Sequence, residues 1–296
     1  MSIFIGSGAA VCTPFKADGS FNPEAYAKHI RFQVENGTDA IIACGTTGEV
    51  STLNNDEHVQ VARTAVETVK SGPRKIPVIA GAGGNDTRNI LNLSKQLKEV
   101  GVDGLMLVTP YYNKTSQRGL VEHFTEIAKA VDLPIVLYNV PVRTSLNMLP
   151  KTVFELSKIP NIAAVKEASG DIVQIAQILE LCGDNITVYS GNDDHVVPVL
   201  SLGGKGVIST IANIAPQQMH DMVYKYLDGD VKGSAKMQLE MLPLIRALFT
   251  DVNPMPVKAA LNIMGFDEGA CRRPLTSIDD SLKDELTNQM KRYGLL

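Results

Sequence analysis

Short apolar runs recur along the chain, at residues 9–12, 40–43, 77–80, 104–108, 134–138, 162–165, 186–189 and 206–208. Each is near-continuous rather than alternating, as expected of parallel strands covered on both faces. Their starts lie 20 to 37 residues apart, the length of a strand–helix unit. The intervening stretches carry helical signals. Asn22 followed by Pro23 forms an N-cap and first-turn pair, and Tyr26, Ile30 and Val34 then share a face. Asp86-Thr87 opens another helix, with Ile90, Leu93, Leu97 and Val100 at helical spacing. Gly37, Gly101 and Gly183 stand where helix-terminating glycines belong.

Eight strands alternating with helices predict either a doubly wound sheet or a (β/α)8 TIM barrel. The count of eight favours the barrel, and no nucleotide fingerprint argues for the sheet. The stretch Gly81-Ala82-Gly83-Gly84-Asn85-Asp86 lacks the last glycine of a dinucleotide loop, and Val199 stands where a P-loop before Gly203-Gly204-Lys205 needs its first glycine. After about residue 225 the strands stop. Residues 230–249, 254–264 and 279–293 read as helices, with Pro243 expected to kink the first. The expected division is a catalytic barrel over 1–224 and a C-terminal helical domain over 225–296 that packs against it.

Composition narrows the function classes. The 296 residues are 44% hydrophobic and 20% charged, close to the average for a soluble globular protein and not that of a disordered chain or coiled coil. With 28 basic and 32 acidic residues the net charge is −4, so no electrostatic footprint suggests nucleic acid or an anionic membrane. No apolar run reaches the roughly 20 residues of a membrane span, and the first residues lack a basic, cleavable leader pattern. Cys12, Cys44, Cys182 and Cys271 form no C-x-x-C pair and read as reduced thiols in a cytoplasmic protein. The five histidines have no paired metal-ligand spacing, so no metal is expected. Asp193-Asp194-His195 reads as a helix start rather than a metal site.

In such a barrel the chemistry lies at the C-terminal ends of the strands. There the chain places Gly45-Thr46-Thr47-Gly48-Glu49, Tyr111-Tyr112, Tyr138-Asn139-Val140-Pro141 with Arg143, Lys166-Glu167 and Ser190-Gly191-Asn192-Asp193. Lys166 closes an apolar run. An unpaired ammonium in apolar surroundings tends to lose its proton, and the neutral amine attacks a carbonyl to form a Schiff base. Tyr138 could move protons, the threonine loop could hold a carboxylate, and Arg143 could clamp one bidentately. Each also has an ordinary reading. Lys166 could reach solvent or pair with Glu167, Tyr138 could be a core tyrosine, the threonines could serve a turn, and Arg143 could be a surface residue.

Taken in order, the threonine loop, the tyrosine pair, the Tyr-Asn-Val-Pro segment and Val165-Lys166-Glu167-Ala168 resemble the pyruvate-dependent class I aldolase superfamily, and within it the dihydrodipicolinate synthase family, over nearly the whole chain. The resemblance implies a metal-free, cofactor-free condensation of pyruvate with aspartate semialdehyde through an imine at Lys166. It implies a proton relay of Tyr138, Thr47 and Tyr112, the last donated by a neighbouring subunit. Thr46 would hold the pyruvate carboxylate, Arg143 would bind the semialdehyde carboxylate, and Gly191 and the backbone of Ile208 would line the site. A homo-oligomer follows, with a tetramer built as a dimer of dimers. The alternatives are an N-acetylneuraminate or keto-deoxy-sugar-acid lyase of the same superfamily, or a barrel that binds a keto acid without catalysis. Val50, Asn55 and Asn89 depart from the pattern of lysine-inhibited relatives, whereas His58, Asn85 and Tyr111 keep it. Weak or absent inhibition by lysine is therefore expected.

Overall fold

The structure, a computed structural model, describes residues 2–296. Eight strands run β1 (Gly6–Ala10), β2 (Ala40–Ala43), β3 (Val78–Gly81), β4 (Gly104–Val108), β5 (Ile135–Asn139), β6 (Ile162–Glu167), β7 (Thr187–Ser190) and β8 (Gly206–Ser209). They pair in sequence order, all parallel, and β8 closes onto β1. The (β/α)8 TIM barrel is thus the observed fold, and seven of the eight strands fall on their expected runs within a residue or two.

The first strand is the exception. It occupies Gly6–Ala10 rather than residues 9–12. Gly-Ser-Gly reads as loop by composition, yet the closing seam requires it. Gly6 pairs with Gly206, and a Cβ on Gly206 (φ +153) would lie 1.9 Å from the Gly6 carbonyl oxygen. The apolar residues beyond Ala10 leave the strand, and the Cys12 N–H is taken by the Asn213 side chain (3.0 Å).

The helices are α1 (Pro23–Glu35), α2 (Asn55–Ser71), α3 (Thr87–Val100), α4 (Gln117–Ala130), α5 (Pro141–Thr144), α6 (Pro150–Leu156), α7 (Ile172–Cys182), α8 (Val196–Ser201), α9 (Pro216–Leu227), α10 (Val231–Leu248), α11 (Met255–Ile263) and α12 (Asp280–Arg292). Their ends follow the local chemistry. Asn22 caps α1, and Asp86 caps α3. Gly101 ends α3 at φ 88, where a Cβ would be strained. Helix α9 spans the 224/225 boundary, and α10 contains Pro243.

Two apolar assemblies sandwich the sheet. Outward-facing strand residues such as Ile41, Leu107 and Val165 join the helices in one large core. Inward-facing residues, among them Ile42, Val136, Ala164, Tyr189 and Ile208, fill the barrel with Phe4. Phe4 stacks on Tyr189 (centroids 4.3 Å, planes within 4°), joining the N-terminal segment to this interior cluster. Among the described residues no helix is long and apolar enough to cross a membrane.

Candidate active site

Side chains alternate along a strand, so neighbours in sequence face opposite ways. Lys166 shares the inward parity of Ala164, whereas Glu167 faces out. Glu167 is buried and accepts hydrogen bonds from the Asn139 amide (3.1 and 3.0 Å), the Gln174 amide (3.2 Å) and the Ser169 N–H (2.7 Å). Burial pushes its carboxyl above the usual range, against the pull of those donors. Glu167 is therefore committed to the sheet's outer face, and the reading that pairs it with Lys166 falls away. Lys166 is 6% exposed. The register sets it beside Tyr138, and its ammonium lies 4.4 Å from that ring's centroid.

A cavity of about 350 Å³ opens over this pair, lined by Thr46, Thr47, Tyr138, Arg143, Lys166 and Gly191 among others. Six of the eight expected site residues are thereby gathered at one place. Gly191 is there because nothing larger fits. A Cβ would come within 2.5 Å of Ala168 Cβ and 2.9 Å of the Glu167 oxygen, which accepts the Gly191 N–H at 2.7 Å. Ile208 lies in the barrel interior with Tyr138 rather than on the cavity wall. Tyr112 stands apart at 92% exposure, with φ 69 in the left-handed region that tyrosine rarely adopts.

The two threonines occupy different positions. Thr47 is buried, accepts a hydrogen bond from the Asn253 amide (3.0 Å) and lies 3.4 Å from the Thr210 hydroxyl. Thr46 lines both this cavity and a second one of about 430 Å³. The second cavity gathers Val50, Asn55, His58, Asn85, Asn89 and Tyr111, so the residues weighed for lysine sensitivity all meet there. Thr46, Val140 and Arg143 form the wall the two cavities share.

The helical tail, given no chemistry by the sequence, reaches the site. Asn253 holds Thr47 by its side chain and accepts from Arg143 Nη2 at its backbone oxygen (3.3 Å). Ile245, Arg246 and Phe249 complete the cavity. Asp193 also lines it and is buried. Its Oδ2 accepts the N–H groups of Thr210 (3.1 Å) and Ile211 (3.0 Å), and burial raises its carboxyl above the usual range. Ile245, Arg246, Phe249 and Asn253 approach from the end of α10 and the turn after it, far away in sequence, and no local pattern marks them.

Among the described residues no group of three or more His, Cys, Asp or Glu is placed to hold a metal ion. The constellation is one lysine, a phenol against it, two hydroxyls and a guanidinium. It suits imine chemistry on a small keto acid, with room for a second anionic substrate.

Comparison with known proteins agrees. The model of the dihydrodipicolinate synthetase family matches residues 3–293. A 4-hydroxy-tetrahydrodipicolinate synthase of Lachnoclostridium phytofermentans is 52% identical over 297 residues, covering 100% of both chains. The enzyme of that name from Caldicellulosiruptor saccharolyticus is 54% identical over 295 residues, covering 100% of this chain and 99% of its own. The dihydrodipicolinate synthase of Cyanidioschyzon merolae, solved with lysine bound, superposes with a TM-score of 0.97 at 38% identity over 100% of both chains.

Proposed function

The chain belongs to the dihydrodipicolinate synthetase family, and on that premise we propose that it catalyses the 4-hydroxy-tetrahydrodipicolinate synthase reaction of diaminopimelate and lysine biosynthesis. This is a lyase-class condensation of pyruvate with aspartate semialdehyde. The observation that carries the reading is the buried Lys166 ammonium over the Tyr138 ring, in a cavity that Thr46, Thr47 and Arg143 also line.

In this mechanism the Lys166 amine attacks the keto carbon of pyruvate and water leaves, giving an imine. The protonated imine is an electron sink, so the adjacent methyl loses a proton and an enamine forms. The enamine carbon attacks the aldehyde of the semialdehyde. The amine of the incoming substrate then displaces Lys166 as the ring closes. Tyr138 serves as general acid and base. The geometry supports a different division of the threonines from the one first implied. Thr47, buried and fixed by Asn253, is suited to hold the pyruvate carboxylate. Thr46, on the shared wall, is suited to pass protons between Tyr138 and the phenols beyond. Arg143, steadied by the Asn253 carbonyl at the mouth, clamps the semialdehyde carboxylate. Gly191 forms part of the wall, and Ile208 belongs to the same interior cluster as Tyr138.

The exposed Tyr112 is supplied to the site of a second subunit, which makes the working form a homo-oligomer, a dimer of dimers. The second cavity binds lysine weakly or not at all. Asn55 donates to Asn89 Oδ1 (3.1 Å), so two neutral amides face each other in a cavity whose only carboxylate, Asp86, caps α3. The catalytic barrel runs through the end of α9 at Leu227, three residues past the expected boundary, and α10 to α12 form the helical domain that completes it. The four unpaired thiols fit a cytoplasmic setting. The sugar-acid lyase and binding-module alternatives are disfavoured by full-length relatives that carry the synthase name.

Borohydride reduction in the presence of pyruvate tests the mechanism. The expected product carries one reduced pyruvyl group on the Lys166 peptide, and Lys166→Arg abolishes both the label and turnover with the two substrates. Recovery of an unlabelled lysine, under conditions that trap a known imine enzyme, would refute it.

A further inference from the structure

The threonine loop begins and ends in backbone conformations that side chains disfavour. Cys44 and Glu49 both have φ 53. Such a loop keeps its shape only if its surroundings hold it, and the holding group comes from the helical tail. Glu49 is buried with both carboxylate oxygens engaged. Its Oε1 lies 2.9 Å from Lys258 Nζ, and its Oε2 accepts the Arg272 N–H at 2.8 Å. Lys258, on α11, is equally buried. It donates also to the carbonyls of Thr13 (3.0 Å) and Ala270 (3.1 Å), which uses all three ammonium protons. Thr13 in turn donates its hydroxyl to the Gly48 carbonyl inside the loop (2.8 Å).

A buried ion pair is a weak device for stability alone. An apolar pair of similar volume is often as stable or more so. What a fully satisfied pair fixes is geometry. We propose that the buried Lys258–Glu49 pair positions the catalytic threonine loop, so that α11 sets where Thr47 meets the keto acid and where Thr46 stands beside it. The proposal rests on the synthase reading. Lys258 and Glu49 are positioning residues, and neither faces the Lys166 cavity.

The test is the double variant E49M/K258M beside the wild type, with steady-state kinetics, borohydride trapping and thermal unfolding. The wild type must first show the Lys166 label and turnover, and its failure there would count against the synthase reading instead. The expected outcome is a melting temperature near that of the wild type and an intact Lys166 label at saturating pyruvate. With these, kcat falls and KM for pyruvate rises, for a combined loss of about tenfold to a hundredfold. A double variant that melts like the wild type and turns over like it overturns the proposal. If the double variant does not fold, E49Q takes its place, keeping the shape and removing the charge. A folded E49Q with the same combined loss supports the proposal, and one with wild-type kinetics overturns it.

Discussion

Lys166 and Glu167 are adjacent in sequence and separated by the thickness of a strand, because the two-residue period sends their side chains to opposite faces at the end of β6. Lys166 faces the cavity, while Glu167 ties β6 to Asn139 on β5 and Gln174 on α7. The same loop region depends on Gly191, whose absent side chain lets β7 approach Ala168. Gly191→Ala forces a Cβ into 2.5 Å contact and must move the cavity wall. The expected outcome is a loss of about tenfold or more in kcat/KM for pyruvate, because small misplacements near reacting atoms are costly. Kinetics on a variant shown by circular dichroism to be folded will check it, and unchanged kcat/KM would show the wall to be compliant. Strand ends are visible to sequence reasoning, which is why Lys166, Tyr138, Gly191 and the threonines could be singled out. Asn253 and Lys258 could not. Both sit beside apolar, helix-forming stretches where a polar residue reads as solvated surface, and only tertiary packing turns them inward.

Elements meet at seams, and the α3–α4 seam carries a titratable group. His123 on α4 lies 2.8 Å from the Thr87 hydroxyl at the start of α3 through Nδ1 and meets Phe124 edge-on, and its Nε2 is buried with no hydrogen-bond partner. Burial pushes its pKa down from 6.5 to about 4. Below pH 6.5 the unfolded chain takes up a proton that the folded chain refuses until about pH 4. Stability is therefore fully present above 6.5 and lost as pH falls through that window, by at most about 1.4 kcal/mol per unit for this group. His123→Gln is expected to flatten the acid limb of denaturant unfolding between those limits. His58, also buried and also pushed down, leaves a residual slope of the same sign. An acid limb as steep in the variant as in the wild type would remove His123 from the account. At this scale the caps of α1 and α3 were readable from Asn22 and Asp86, because a cap is a local side-chain event. The position of β1 was not, because closing the barrel is a non-local demand that a Gly-Ser-Gly stretch meets only against β8.

For the whole molecule the unspent features lie outside the Lys166 cavity. The second cavity offers an amine ligand two facing amides where a carboxylate would contribute a charge-assisted contact worth about 1.5–3 kcal/mol. Lysine in the coupled assay should therefore inhibit weakly, and half-inhibition below a millimolar concentration would contradict that. Tyr112 makes the stronger demand. Tyr112 is held in the left-handed region at 92% exposure. If Tyr112 serves a partner's site, Lys166→Ala and Tyr112→Phe are lesions in different chains of one composite site. Each homo-oligomer is then nearly inactive. In a mixed dimer, the chain with an intact Lys166 receives an intact Tyr112 from its partner, and one site of the two works. Random reassociation makes half the dimers mixed, so about a quarter of wild-type activity should return under closed two-fold pairing. Recovery should vanish if the variants are mixed without subunit exchange. If Tyr112 acts within its own chain, or not at all, co-refolding restores nothing beyond the sum of the parents, and the phenol loses its place in the relay.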